Sequence, residues 1–272
     1  KFIQFIHFQR VNNSMFLFKI QIRSYIIINR SKKIFRSSLN YPNCRKLNPS
    51  FEINIVYDNK CPKTGFLTGF GFSTLIYSHF TGNFSLFDTG GNANILIHNI
   101  KKFNFDITAI KNVIISHNHH DHAGGLKGIL QINPNMQIYV PFNDLKSFSM
   151  NFPNKKIHGI LELTEIEKNL MSSGQIKGSF ISEQSVFLKT KENELIILVG
   201  CTHPGLENFI IKAQNITKIK AIIGGFHGFR KFLYLKGINF IGPCHCSSYT
   251  NSIKETFPDQ FKRICLGDKF LF

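Results

Sequence analysis

The chain counts 272 residues, 43% of them hydrophobic and 18% charged, which describes one large or two small globular domains and excludes a disordered polymer. No uncharged apolar run reaches about eighteen residues, so neither a membrane-spanning helix nor a membrane partner is expected. The net charge of +17 falls to +7 once residues 1–51, with ten basic and no acidic side chains, are set aside; a body so mildly basic, with its Lys and Arg scattered, suits an anionic small-molecule substrate and not nucleic acid.

In chain order, residues 1–48 come first and read as a basic extension outside the catalytic domain. Disordered or non-native sequence, an organelle presequence, and an amphipathic element docked on the domain all fit that composition. From Glu52 the pattern turns regular. Apolar or alternating runs predict strands over 53–57, 72–77, 84–87, 113–116, 137–140, 186–189, 195–199, 221–223 and 238–241. Helical spacing predicts helices over 94–103, 124–130, 206–213 and 248–257, the last three each following a loop rich in His, Gly or Cys. Strands interspersed with helices indicate a layered α/β domain, here a single catalytic unit over 52–272. Six cysteines (Cys44, Cys61, Cys201, Cys244, Cys246 and Cys265) form no CxxC pair and no disulfide-framework spacing, so a reducing, cytoplasmic setting is expected.

The chemistry concentrates between positions 116 and 126, in Ser-His-Asn-His-His-Asp-His-Ala-Gly-Gly-Leu. Four of the eleven histidines fall there, behind the apolar run Val113–Ile115 and ahead of a Gly-Gly that opens a helical segment. A strand-to-helix loop can converge its side chains on one point. The spacing offers His117, His119, Asp121 and His122 as ligands, and imidazole with carboxylate suits zinc, iron or manganese.

On this motif the chain resembles the metallo-β-lactamase superfamily, and that resemblance implies an αββα sandwich with two divalent metal ions, zinc foremost with manganese or iron as alternatives. Leu86-Phe87-Asp88-Thr89-Gly90 looks like the family's strand-ending Asp, which implies that Asp88 orients a metal-bound histidine. Two further ligands normally come from the second half of such a fold. Gly200-Cys201-Thr202-His203-Pro204-Gly205 and Gly242-Pro243-Cys244-His245-Cys246 each end an apolar strand, making His203 and His245 the ligand candidates. Cys201 stands where many members carry a bridging Asp, as a thiolate ligand or a neutral neighbour. The implied scheme puts His117, His119 and His203 around one metal and Asp121, His122 and His245 around the other, with His120 pointing away.

Gly224-Gly225-Phe226-His227, with the Gly-Cys-Thr-His-Pro-Gly segment and Val56-Tyr57-Asp58-Asn59, resembles one branch: proteins related to dihydropterin-methyl-(ribofuranosyl)aminobenzene phosphate synthase. The implied substrate is a phosphorylated pterin or aminobenzene compound, with Asp121 and His227 in catalytic roles. The alternative is a generic metallohydrolase acting on an ester, lactone or phosphodiester. Two departures stand out: Ser182-Glu183-Gln184 where the branch has Asp-Glu-Gln, and His245-Cys246-Ser247-Ser248 where it has His-Cys-Thr-Gly.

Overall fold

The computed structural model describes residues 48–272; the expected extension, up to residue 47, lies outside the described residues. The first half runs β1 (Phe51–Tyr57), β2 (Ser73–Ser78), β3 (Phe84–Phe87), α1 (Ala93–Lys102), β4 (Ile110–Ile114), α2 (His120–Ala123), α3 (Leu126–Ile132), β5 (Gln137–Pro141), α4 (Leu145–Asn151) and β6 (Ile157–Ile160). The second half runs β7 (Thr164–Glu167), β8 (Leu170–Ser172), β9 (Ile176–Lys177), β10 (Ser182–Glu183), β11 (Val186–Lys189), β12 (Leu195–Val199), α5 (Leu206–Gln214), β13 (Ile219–Gly225), β14 (Phe240–Cys244), α6 (Thr250–Thr256) and β15 (Lys269–Leu271). Among the described residues no helix is long and apolar enough to cross a membrane.

Two sheets carry the architecture, ordered β15-β1-β2-β3-β4-β5-β6 and β14-β13-β12-β11-β8-β7, with β9 and β10 forming a small separate hairpin. Strands β12 and β13 are apolar at almost every position because both their faces are covered. In β12, Ile196 and Leu198 point between the sheets, toward Phe51, Ile53, Ile76 and Phe87. Its alternate residues Ile197 and Val199 pack outward under Phe209, Ile210 and Ile253 of α5 and α6. On the far side, Leu96, Ile100, Leu126 and Ile129 of α1 and α3 cover Val56, Leu86 and Val113. Helix, sheet, sheet, helix: the expected αββα sandwich is present.

Every strand from 53 to 241 expected from the sequence exists, with the expected ends at 84–87, 186–189 and 195–199 and shifted ends elsewhere. β4 stops short of Ser116: Ile115 N–H makes the last bond to β5, at the Tyr139 carbonyl, and Ser116 N–H turns to the Asp88 carboxylate. The helix expected over 124–130 is present as α3, displaced to 126–132, and the extra turn α2 precedes it across Gly124-Gly125. The short strands β6 to β10, helix α4 and β15 are additions; brief, polar edge elements leave little periodic signal. One cysteine reading is corrected. Cys61 and Cys265, 204 residues apart, are joined in a disulfide with Cα atoms 5.1 Å apart. No local spacing announces that pair, since the antiparallel pairing of β15 on β1 is what brings the two segments together.

The parallel runs β3-β4-β5-β6 and β12-β13-β14 end at one edge of the sandwich. Gln184 stitches the two sheets there: its Nε2 donates to the Ile115 and Tyr139 carbonyls at 2.8 and 3.1 Å, and its N–H to the Ser116 carbonyl at 2.9 Å.

The domain boundary deserves one adjustment against the expected 52. Phe51 opens β1 and is fully buried, and the Ser50 hydroxyl accepts the Lys191 N–H at 2.9 Å. A protein cut to 52–272 should therefore be less stable than one cut to 48–272, by about 3–5 kcal/mol for the lost Phe alone. Urea unfolding of the two proteins measures it, and equal midpoints would contradict the role given to Phe51.

Candidate metal centre

Each candidate ligand sits just past a strand end, where the chain has left the ladder and its side chains are free to turn inward. His117 follows β4, Cys201 and His203 follow β12, His227 follows β13 and His245 follows β14. Asp121 and His122 lie on the single turn α2. These loops fold tightly enough that Asp88, Thr202, His227 and His245 all take positive φ, at 59°, 64°, 42° and 49°. Such backbone is costly for non-glycine residues and persists where the surroundings over-determine it.

The side chains converge in two groups. His117, His119 and His203 form one; Asp121, His122, Cys201 and His245 form the other, and within each group one donor atom per residue lies within 4.8 Å of the rest. The sequence-expected sets are thus both brought together, and Cys201 joins the second. His120 is exposed and outside both groups. His227 is exposed and outside both as well, its ring 5.0 Å from that of His203.

Hydrogen bonds fix which ring nitrogen faces inward. Asp88 is buried and accepts from Ser116 N–H (2.6 Å), Ser116 Oγ (2.8 Å) and His122 Nδ1 (2.7 Å). Ser116 Oγ, having given its proton to Asp88, accepts from His117 Nδ1 at 2.9 Å. His245 Nδ1 donates to Asn59 Oδ1 at 3.1 Å. In all three rings Nδ1 carries a proton, so Nε2 is the nitrogen that points into the centre. His117 Nε2 ends 3.0 Å from His119 Nδ1, and His122 Nε2 ends 3.1 Å from Cys201 Sγ.

The donor set fits divalent ions. His203 Nε2 and His245 Nε2 are buried without a hydrogen-bond partner among the described residues, although the latter lies 3.2 Å from Asp121 Oδ2, out of alignment. Burial of such nitrogens is costly unless something satisfies them. Burial also holds His117 well below the usual histidine range, keeps His119 and His245 low, and takes His203 to about 4, with neighbouring imidazoles adding to the effect. Neutral imidazoles are the form that ligates. His122 is different: burial would lower it, but Asp88 and Asp121 outweigh that and raise it to about 10. Burial likewise opposes ionisation of Asp121, yet hydrogen bonds from His122 and His245 leave its pKa lowered. The Cys201 thiol is pushed up by its hydrogen bond to Cys246 and by burial. A cation entering this second group would displace protons from His122 and Cys201.

Glu183 and Asn59 are site residues that reading the sequence for ligands missed. Glu183 is fully buried, and its carboxylate accepts from the N–H groups of Cys201 (2.8 Å), Thr202 (2.9 Å) and His203 (2.9 Å). It fixes the whole loop behind β12 while burial holds its own pKa up. Gly200 is required beside it: a Cβ there would collide with Ser116 Oγ and the Glu183 carboxylate. The signal was visible in Ser182-Glu183-Gln184, but as a departure at Ser182 and not as a clamp at Glu183.

Residues 68–148, which contain the histidine motif, match the profile of the metallo-beta-lactamase superfamily. Over that stretch the chain is similar to the metallo-beta-lactamase superfamily. It is similar to 7,8-dihydropterin-6-methyl-4-(beta-D-ribofuranosyl)-aminobenzene-5'-phosphate synthase of Methanocaldococcus jannaschii, with 29% identity over 241 residues covering 67% of this chain and 82% of that protein. A second protein of that organism, MJ0448, is 26% identical over 238 residues, covering 72% of this chain and 91% of its own. Among solved structures, Tm1679, described as a metal-dependent hydrolase of the beta-lactamase superfamily, superposes with a TM-score of 0.62 at 23% identity over 81% of this chain and 98% of its own. The metallo-beta-lactamase fold protein YhfI from Bacillus subtilis gives 0.60 at 13% identity, over 82% and 99%. At such identities the solved structures speak to the fold.

Two substitutions test the assembly. His119→Ala should cost roughly one bound metal per chain by elemental analysis, whereas His120→Ala should keep the full complement; equal loss in both would break the ligand assignment. Glu183→Gln turns an N–H donor toward one of the three amides, and should weaken the His117-His119-His203 position about 10–100-fold in a chelator competition. Unchanged affinity there would mean the loop holds its shape without the carboxylate.

Proposed function

We propose that the protein is a metal-dependent enzyme acting on an anionic, phosphorylated pterin- or aminobenzene-type compound. The observation that carries the reading is the pair of adjoining donor groups at the strand ends, with buried nitrogens that lack partners among the described residues. The similarity to the aminobenzene-phosphate synthase supports the substrate class. His117, His119 and His203 would hold one divalent ion; Asp121, His122, His245 and Cys201 would hold the other. Nitrogen, oxygen and sulfur donors together favour zinc, with iron or manganese as rivals. Bound ions supply Lewis acidity toward a phosphoryl or carbonyl oxygen.

The chain's own residues do the rest. Asp121, half-buried between the imidazoles of His122 and His245, keeps an ionised carboxylate at the mouth of the second group and can receive a proton from a bound reactant. His227 stands outside both groups beside His203, exposed and therefore able to reach the substrate and exchange a proton with it. Asp88 and Asn59 hold their histidines in one tautomer, so that the ligand nitrogens need no reorganisation when substrate arrives.

Purified protein should contain divalent metal and turn over pterin or aminobenzene phosphates. Inorganic phosphate should compete with that substrate. His227→Ala should keep both metals and lose about 10²-fold in kcat, the usual range for a proton-transfer group. Loss of a metal in that variant would make His227 a ligand. Preferential turnover of neutral esters or lactones, without phosphate competition, would replace the pterin reading by a general metallohydrolase.

A further inference from the structure

His203 borders two surface features of opposite character. On one side lies a cavity of about 340 Å³ lined by His203, His227, Gly228, Arg230, Lys231 and Glu207 among others. On the other, Phe180 at the β9–β10 turn is 99% exposed and shares a recess of about 240 Å³ with His203. A second recess of about 240 Å³ joins the same Phe180 to His119 and Asn118. An isolated exposed phenylalanine needs no explanation; one that shares its recesses with two candidate ligands does.

The cavity's charge is settled by its pairs. Lys231 Nζ lies 2.6 Å from Glu207 Oε1, so those two cancel. Arg230 forms no ion pair among the described residues. Its guanidinium lies 4.3 Å from the centroid of the Tyr249 ring and hydrogen-bonds the Tyr249 hydroxyl. That contact fixes the fork but uses only part of its five N–H donors. The space beside Gly228 is open, since a Cβ added there would meet nothing within 4 Å. A pre-oriented guanidinium without a carboxylate partner, beside an exposed imidazole, is chemistry that recognises phosphate oxygens.

We infer that the rim around His203 is a two-point recognition site for an aromatic ribosyl phosphate, with Arg230 taking the phosphate in the cavity and Phe180 covering the aromatic ring on the opposite flank. His203 lines both the Arg230 cavity and the Phe180 recess, so a ligand that uses both points passes that imidazole. The synthase relative's name describes a compound of that form, an aminobenzene carrying a ribofuranosyl 5'-phosphate. The inference rests on the proposed substrate class but assigns residues that the metal scheme does not use.

Binding, not turnover, is the test, with full-length metal-loaded protein, metal content checked in every variant, and three probes: ribose 5-phosphate, adenosine 5'-monophosphate and adenosine. The monophosphate should bind more tightly than either of its parts. Arg230→Ala should weaken both phosphates about tenfold and leave adenosine unchanged. Arg230→Lys, which keeps the charge and loses the fork, should fall between. Phe180→Ala should weaken the monophosphate roughly fivefold and leave ribose 5-phosphate unchanged. Phosphate affinities indifferent to Arg230, a Phe180 effect equal on both phosphates or absent, or no binding of either phosphate to the parent protein would each overturn the assignment. The predicted pattern without pterin turnover keeps this site and discards the substrate reading; pterin turnover with affinities indifferent to both variants does the reverse.

Discussion

One buried carboxylate holds the first half of the candidate centre together. Asp88 follows β3, and with its two oxygens it fixes the Ser116 backbone, the Ser116 hydroxyl and the His122 ring. Through that hydroxyl it also sets the tautomer of His117. Two histidines in different donor groups thus take their orientation from a single anion that never reaches the site. A carboxylate so deeply placed is tolerable because both of its oxygens accept hydrogen bonds. Glu183 repeats the device from the β9–β10 hairpin, with three backbone N–H groups in place of side chains. The halves of the sandwich therefore contribute one oriented loop system each, and Gln184, next to Glu183, locks the two against each other.

The two donor groups that result differ electrostatically. The group of His117, His119 and His203 is kept neutral by burial and mutual repulsion, ready to accept a cation directly. The other contains a proton on His122 shared with two carboxylates, and a thiol pushed up by its hydrogen bond to Cys246 and by burial. Loading of the second group is therefore coupled to pH more steeply than loading of the first. The positive φ values at Asp88, Thr202, His227 and His245 show where the backbone carries the cost of bringing these side chains together.

Much of this was legible in the sequence because the centre is built from short-range patterns. His117, His119, Asp121 and His122 lie within six positions, and each later candidate follows an apolar run that had to be a buried strand. What stayed hidden depends on long-range pairing. Glu183 reaches residues 18 to 20 positions away, Asn59 reaches His245 across 186, and Cys61 meets Cys265 across 204. Residue type alone does not distinguish a buried clamp such as Glu183 from an ordinary surface glutamate. The edge strands were missed for a related reason: with few residues and one open side, they carry too little hydrophobic alternation to register.

The strand β15 has a role outside the chemistry. It lies at the edge of the first sheet against β1, whose residues Phe51, Ile53, Ile55 and Val56 are wholly buried. Without that strip, a long and almost entirely apolar strand would present its free amides to solvent, a surface on which a second molecule could add itself. With it, the outermost strand among the described residues is three residues long and carries Lys269 bound to Glu52, a short and charged margin that gives an approaching strand little to pair with. The last residues of the sequence thus act as a guard against self-association, and variants that loosen them should first betray themselves by precipitation, with the catalytic edge of the sandwich still intact.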